Sequence, residues 1–189
     1  MKLHLNELRR TIGRTQDEIA SSTGIHQSTI SIIENGLSDP GISTIQKYLD
    51  SLGYKLQIIP KGIPSLLDAS VEIKKALKEG KEDLALRLIL QTNDELAESN
   101  LEHCLLAVAN APIKISNTKF EALFFGVVEY QLTKKSLPLP NWLLLKTEKL
   151  AKPWTVDPWA NDQDELHLRT PYSLRKRNIY FAESELTSV

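Results

Sequence analysis

The segment from Thr15 to Gly36 constrains the fold most strongly, because it encodes two short helices joined by a tight turn. Thr15 is followed three residues later by Glu18, a capping box that predicts the start of a helix. Gly24 tolerates the positive φ that a tight turn requires. A second helix is then predicted over Gln27–Glu34. Two helices so short need neighbouring helices to bury their apolar sides.

Those neighbours are predicted on both sides of the segment. Leu5, Leu8 and Ile12 have the spacing of one helical face before it. A fourth helix follows it, with an apolar face formed by Ile45, Tyr48, Leu49 and Leu52. The small Ala20 allows the two central helices to cross at close range. The inward side chains of those two helices are predicted to be Ile19, Ile25, Ile30 and Ile33.

The opposite side of the second central helix is then left facing outward. Its residues are mostly polar: His26, Gln27, Ser28, Thr29, Ser31 and Ile32. Hydroxyl, amide and imidazole groups on one short helix suit the donor and acceptor pattern of the DNA major groove. This pattern predicts a DNA-reading surface.

With these pieces in place, residues 5–53 resemble the Cro/repressor class of helix-turn-helix proteins, the XRE family. The matching pieces are Thr15-Gln16, Ala20, Gly24-Ile25, Ile30 and Glu34-Asn35-Gly36. The resemblance implies a lambda-repressor-like bundle. It also implies a DNA-contacting set composed of Arg14, Thr15, Gln16, His26, Gln27, Ser28, Thr29, Ser31 and Asn35.

The resemblance also divides the roles within that set. Gln16 is expected to contact a phosphate, and Gln27 can form a bidentate pair with adenine. Asn35 is expected to help clamp the DNA backbone. Arg9 matches a position whose arginine pairs with the glutamate that matches Glu34, so this pair is assigned to structure and not to DNA.

Charge leaves an alternative open. The chain has a net charge of −1, and the predicted recognition helix has neither Arg nor Lys. Because phosphate contacts supply most of the affinity for DNA, a single module would bind weakly. Either two modules bind a palindromic operator together, or the helix-turn-helix is silent and serves protein interactions.

Residues 54–59 predict how two copies of the module associate. Tyr54, Leu56 and Ile58 alternate with Lys55 and Gln57, a strand pattern without a partner strand nearby. Its backbone groups need hydrogen-bond partners, and the same strand of a second copy can provide them. These three alternating residues are therefore predicted to form the interface of a homodimer.

The whole chain is predicted to be mainly α. Residues 1–60 form the helix-turn-helix and dimerisation domain with its short strand. Residues 61–99 form a helical connector after the boundary marked by Pro60, Gly62 and Pro64. Residues 100–189 form a mostly helical C-terminal partner-binding domain.

The strand after the fourth helix also resembles small antitoxins of toxin–antitoxin pairs. That resemblance implies a repressor of its own operon that neutralises a cognate toxin through residues beyond 60. Later segments resemble helix-turn-helix proteins encoded beside toxins, some of them nucleotidyltransferase-like. Candidate partner-binding residues are Trp154, Trp159, Arg175 and Arg177, types that dominate binding hot spots. Alternatively the tryptophans fill the domain's own core.

Other function classes find little support in the sequence. No GxxxxGK, HExxH or GxSxG motif is present, and His103 and Cys104 are adjacent on a predicted helix, so their side chains point apart. Neither an enzyme, nor a metal, nor a cofactor is expected.

No apolar run could span a bilayer, and a cytoplasmic location is expected. A stand-alone regulator with a ligand-sensing C-terminal domain stays as an alternative.

Overall fold

The computed structural model describes residues 4–56, 62–145, 149–157 and 163–186. The chain separates into two compact units, residues 1–60 and residues 61–189, here called the first and second units. The described residues are mainly helical, as the sequence predicts. None of their helices combines the length and the apolar run needed to cross a bilayer.

The first unit is a bundle of four short helices. They are α1 (Leu5–Thr11), α2 (Gln16–Thr23), α3 (Gln27–Glu34) and α4 (Ile42–Ser51). Local signals set the start and the end of α2. Thr15 and Glu18 form the predicted capping box, and Gly24 ends the helix in the left-handed conformation at φ 71°. These two predictions are confirmed.

A small apolar core holds the four helices together. Each helix contributes at least one buried side chain to it: Leu5, Ile19, Ile30, Ile33, Ile45, Tyr48, Leu49 and Leu52. Ile25, predicted to face inward, is half-buried at the edge of this core. The helices are too short to be stable alone, so this shared core is what keeps them folded.

The second unit begins with four longer helices. They are α5 (Leu66–Lys78), α6 (Glu82–Glu98), α7 (Leu101–Ala107) and α8 (Thr118–Lys134). Shorter elements follow: α9 (Asn141–Leu144), β1 (Trp154–Thr155), α10 (Gln163–Arg169), α11 (Tyr172–Arg175), β2 (Ile179–Tyr180) and a 3₁₀ turn at Glu183–Glu185. β1 and β2 are parallel, with Trp154 opposite Ile179 and Thr155 opposite Tyr180.

Helix α8 lies at the centre of the second unit. Every residue from Phe120 to Glu129 is buried, as expected for a helix surrounded by neighbours. Helices α5 and α6 contribute Ile73, Ile89 and other side chains to the same core. The sequence predicted a separate connector over residues 61–99, whereas the structure incorporates these helices into the core. Their amphipathic faces need a partner, and α8 provides it.

Gly126 sets how closely α11 approaches α8. A Cβ atom at this position would lie 2.4 Å from Cδ2 of Leu174, which is itself fully buried. A glycine in the middle of a helix costs about 1 kcal/mol relative to alanine. Here the absence of a side chain permits the close packing of α11 against α8.

A buried ion pair lies at the same contact. Arg177 is 1% exposed, and its Nη1 donates to Glu129 Oε2 at 2.6 Å and to the Ser173 carbonyl oxygen at 2.7 Å. Lys176 also donates to the Glu129 carboxylate. The prediction that Arg177 binds a partner protein is therefore wrong, because its guanidinium group is used inside the fold.

Two of the other residues predicted to bind a partner, Trp154 and Arg175, are also half-buried. Trp154 is half-buried, with its ring centroid 5.4 Å from that of Phe120. Arg175 is half-buried at the end of α11. Trp159 lies outside the described residues. For Trp154, the alternative of packing in the domain's own core describes the structure better.

We expect Arg177→Met to lower the free energy of unfolding of the second unit by about 3 kcal/mol, because it leaves a buried carboxylate without its main cation. Adding Glu129→Gln should recover part of this loss by removing that charge. Urea unfolding followed by tryptophan fluorescence measures it, since Trp142, Trp154 and Trp159 all lie beyond residue 60. Equal stabilities for the single and double variants would contradict the assignment.

Candidate nucleic-acid interface

The outer face of α3 is open to solvent. Ile30 and Ile33 point into the core and are 0% and 6% exposed. The positions predicted to face outward differ in their exposure to solvent. His26, Gln27, Ser28, Thr29 and Ile32 are exposed, and Ser31 is half-buried. The helix has eight residues, and an α-helix with its side chains is about 10–12 Å across, a diameter that fits a major groove about 12 Å wide.

One carboxylate holds α3 to the other three helices. Glu34, at the end of α3, has a side chain that is 0% exposed. Its two oxygens accept a bidentate pair from Arg9 of α1, with Nε–Oε1 at 2.7 Å and Nη2–Oε2 at 2.8 Å. Tyr48 of α4 donates to Oε1 at 2.6 Å, and Gln16 of α2 donates to Oε2 at 2.9 Å. The predicted structural pair of Arg9 and Glu34 is confirmed.

The protonation states in this cluster follow from its geometry. Burial alone would raise the pKa of Glu34, but the hydrogen bonds from Arg9, Tyr48 and Gln16 outweigh it and hold that pKa below its ordinary value. Burial and the hydrogen bond to Glu34 raise the pKa of Tyr48. The carboxylate is therefore ionised and the phenol protonated near neutral pH.

The hydrogen-bond chain continues to the first residue of α3. Gln27 Nε2 donates to Gln16 Oε1 at 2.7 Å, so the exposed amide of Gln27 is joined through Gln16 to the buried Glu34. This bond uses one of the two amide hydrogens of Gln27. The second hydrogen and Oε1 stay available for N7 and the N6 amino group of an adenine.

Other predicted contact residues flank this pair. Arg14 and Thr15 are exposed just before α2, and Arg9 Nη1 donates to the Arg14 carbonyl oxygen at 2.7 Å. Asn35 is exposed just after α3, where its Nδ2 donates to the Ser31 carbonyl oxygen at 2.8 Å. The structure thus places the nine residues of the predicted DNA-contacting set on or beside the two central helices.

The predicted dimerisation strand is described only in part. Tyr54 is half-buried against the first-unit core, and Leu56 is 43% exposed. Residues 54–56 form no strand within this single chain, and Ile58 lies outside the described residues. The pairing requires a second copy, so it stays a prediction.

Sequence reasoning missed the role of Tyr48. Its spacing with Ile45 and Leu49 indicated an apolar position, and the residue is indeed fully buried. A buried tyrosine, however, needs a hydrogen-bond partner for its hydroxyl group. That requirement predicts a polar partner for Tyr48. The partner is Glu34 on α3, which is 14 positions away in the sequence and is brought near only by the fold.

Within the described ranges, no group of three or more His, Cys, Asp or Glu side chains is arranged to hold an ion. Cys104 is buried, and burial raises the pKa of its thiol.

Comparison with protein families identifies the first unit. Residues 5–59 match the model of the Helix-turn-helix family, whose members are DNA-binding regulators and typically not enzymes. Comparison of the full chain with curated proteins and with solved structures gave no match. The chain therefore carries an XRE-type helix-turn-helix domain, which indicates a DNA-binding transcription regulator.

We expect acid to unfold the first unit through Glu34. Its pKa is lower in the folded protein, so its stabilising contribution is complete above the unfolded value of about 4.3 and is lost as the pH falls through the folded value. Glu34→Gln should cost about 3 kcal/mol at neutral pH and should flatten this acid dependence. Urea midpoints of amide NMR signals from α1–α4, measured at several pH values, test both effects.

Asp50→Asn is the matched control, because Asp50 is exposed on α4. This variant should follow the acid dependence of the unaltered protein. If Glu34→Gln showed the same dependence as Asp50→Asn, the carboxylate cluster would not control the stability of the first unit.

Proposed function

We propose that the protein is a homodimeric, sequence-specific DNA-binding repressor, and that it is the antitoxin of a toxin–antitoxin operon that regulates its own transcription. The observation that carries the DNA-binding part is the exposed polar face of α3, fixed from behind by the Glu34 cluster. A side chain held in place before binding loses less conformational entropy on binding.

In this proposal the two central helices have different tasks. Gln27 and Ser28, at the start of α3, read base edges in the major groove. Gln16, Arg14 and Asn35 contact the sugar-phosphate backbone and set the orientation of the helix. The hydrogen bond between Gln16 and Gln27 couples the two tasks, because a phosphate contact by Gln16 also orients the base-reading amide.

Charge supports binding by a pair of modules. Residues 1–60 carry six basic and six acidic side chains, with none of the basic ones on α3. One module therefore gains little from the general attraction to phosphates. Two copies joined through residues 54–59 place two α3 helices on half-sites about 34 Å apart, one turn of the duplex.

Gln27→Ala removes one bidentate base contact, worth about 1–3 kcal/mol, from each of the two half-sites, so it is expected to weaken operator binding by about 30-fold or more. Fluorescence anisotropy with the DNA upstream of the protein's own gene, at fixed salt, measures this. Gln46→Ala is the matched control, since Gln46 is exposed on α4. Equal affinities for the two variants would mean that α3 does not read the operator, in line with the alternative of a silent helix-turn-helix.

Dimerisation is tested separately. Leu56→Lys combined with Ile58→Lys places charge on the predicted strand and should give a monomer in sedimentation equilibrium at micromolar concentration. Operator affinity should fall with it, since both half-sites are then bound independently. A dimer that persists in this variant would place the interface elsewhere on the chain.

The toxin-binding part of the proposal concerns the second unit. Arg177 and Trp154 are engaged internally, so we propose that exposed apolar side chains a few residues before Arg175 in the sequence form the contact surface. Leu168 and Tyr172 are 78% and 70% exposed. Exposed large apolar residues beside arginine are typical of protein contacts.

The test is co-purification of the product of the neighbouring gene with the tagged full chain. Leu168→Asp with Tyr172→Asp should abolish it, whereas Leu101→Asp, at an exposed position of α7, should not. If the unaltered chain bound operator DNA but no neighbouring product, the antitoxin role would be wrong while the repressor role would stand.

A second candidate function is a regulator whose DNA affinity responds to a small ligand. One observation favours it. The second unit contains a cavity of about 240 Å³ beside α8.

A further inference from the structure

The cavity lies between the first two turns of α8 and residues 149–151. Glu121, Ala122 and Phe125 line it from the helix, and Lys149 and Leu150 line it from the opposite side. Pockets for drug-sized molecules measure about 300–1,000 Å³. A cavity of about 240 Å³ therefore takes a smaller molecule.

Both walls are held in place without a ligand. The Leu150 N–H donates to the Arg177 carbonyl oxygen at 3.0 Å, and Asn178 Nδ2 donates to the Leu150 carbonyl oxygen at 3.0 Å. Arg177 in turn pairs with Glu129 of α8. The opposite wall is thus tied back to the same helix that forms the first wall, which makes the cavity preformed.

Phe125 gives the apolar floor a fixed orientation. Its ring centroid lies 5.8 Å from that of Trp142, whose Nε1 donates to the Val108 carbonyl oxygen at 2.9 Å. Phe125 itself is 4% exposed. An apolar ligand group can therefore pack on a surface that needs no rearrangement.

Glu121 supplies a buried negative charge at this floor. The residue is 9% exposed, and Oε1 accepts the Ile115 N–H at 3.1 Å, which orients the carboxylate. None of the ion pairs formed within the described ranges involves Glu121. A buried carboxylate gains most from a hydrogen-bonding cation placed beside it.

Lys149 supplies the opposite charge on the other wall, where it is exposed to solvent. These two are the charged groups among the described residues that line the cavity. Ala122, Phe125, Leu150 and Ala151 add apolar surface to the lining, and Thr118 adds a hydroxyl group. We propose that the cavity binds a free α-amino acid with an apolar side chain, with its ammonium group on Glu121, its carboxylate on Lys149 and its side chain on Phe125.

The inference names a ligand for the second candidate function. It rests on that function only for the effect of the ligand on DNA affinity. Binding itself is measured on the full chain without DNA. Isothermal titration calorimetry with L-phenylalanine, L-leucine and L-methionine should give saturable binding for at least one of them. Phenethylamine and 3-phenylpropionate, which each lack one charged group of phenylalanine, should bind at least tenfold more weakly than L-phenylalanine if that is the ligand.

Two variants locate the site. Glu121→Gln keeps an acceptor for the Ile115 N–H but removes the charge, and should weaken binding at least tenfold. Ala122→Leu fills the cavity and should abolish binding. Glu102→Gln, at an exposed position of α7, is the matched control and should bind as the unaltered protein does. Thermal unfolding confirms that each variant is folded.

The outcomes separate the site from its consequence. Absence of saturable binding by all three amino acids overturns the inference, as does unchanged binding by folded Glu121→Gln. An amine that binds as tightly as its parent amino acid also overturns it, because Lys149 would then have no role. Amino-acid binding that leaves operator affinity unchanged supports the site and contradicts only the second candidate function.

Discussion

The first unit depends on one buried carboxylate. Glu34 receives hydrogen bonds from α1, α2 and α4 while itself belonging to α3, so all four helices meet at its two oxygens. The bundle is too small for apolar burial alone to orient its helices with precision. A fully satisfied charged cluster adds directional bonds, which set the position of α3 relative to its neighbours. The exposed polar face that we propose to read DNA lies on the other side of this same helix.

A second buried carboxylate has a comparable role in the second unit. Glu129 of α8 pairs with Arg177 beyond α11, beside the close contact that Gly126 permits. Leu150 is hydrogen-bonded to the same Arg177 backbone, so the ion pair also positions one wall of the cavity. In each unit the surface that we propose to bind a ligand is thus supported from behind by a buried acid that accepts hydrogen bonds at both oxygens.

Much of the first unit could be predicted because its signals are local. The capping box joins residues three positions apart, and Gly24 acts through its own backbone angle. The apolar spacing of α3 identified the buried Ile30 and Ile33, and thereby the polar face opposite them. The pair of Arg9 and Glu34 spans 25 positions, so its prediction depends on the family resemblance and not on residue spacing.

The sequence by itself determined the helix-turn-helix, its boundaries and its outward face, because these follow from interactions within a few residues of the chain. Only the tertiary structure decided that residues 61–99 join the core around α8, that Tyr48 donates to Glu34, and that Arg177 is buried. An arginine beside other basic residues has the same local pattern on a surface as in a core. Its burial depends on a partner 48 positions away, which no periodicity encodes.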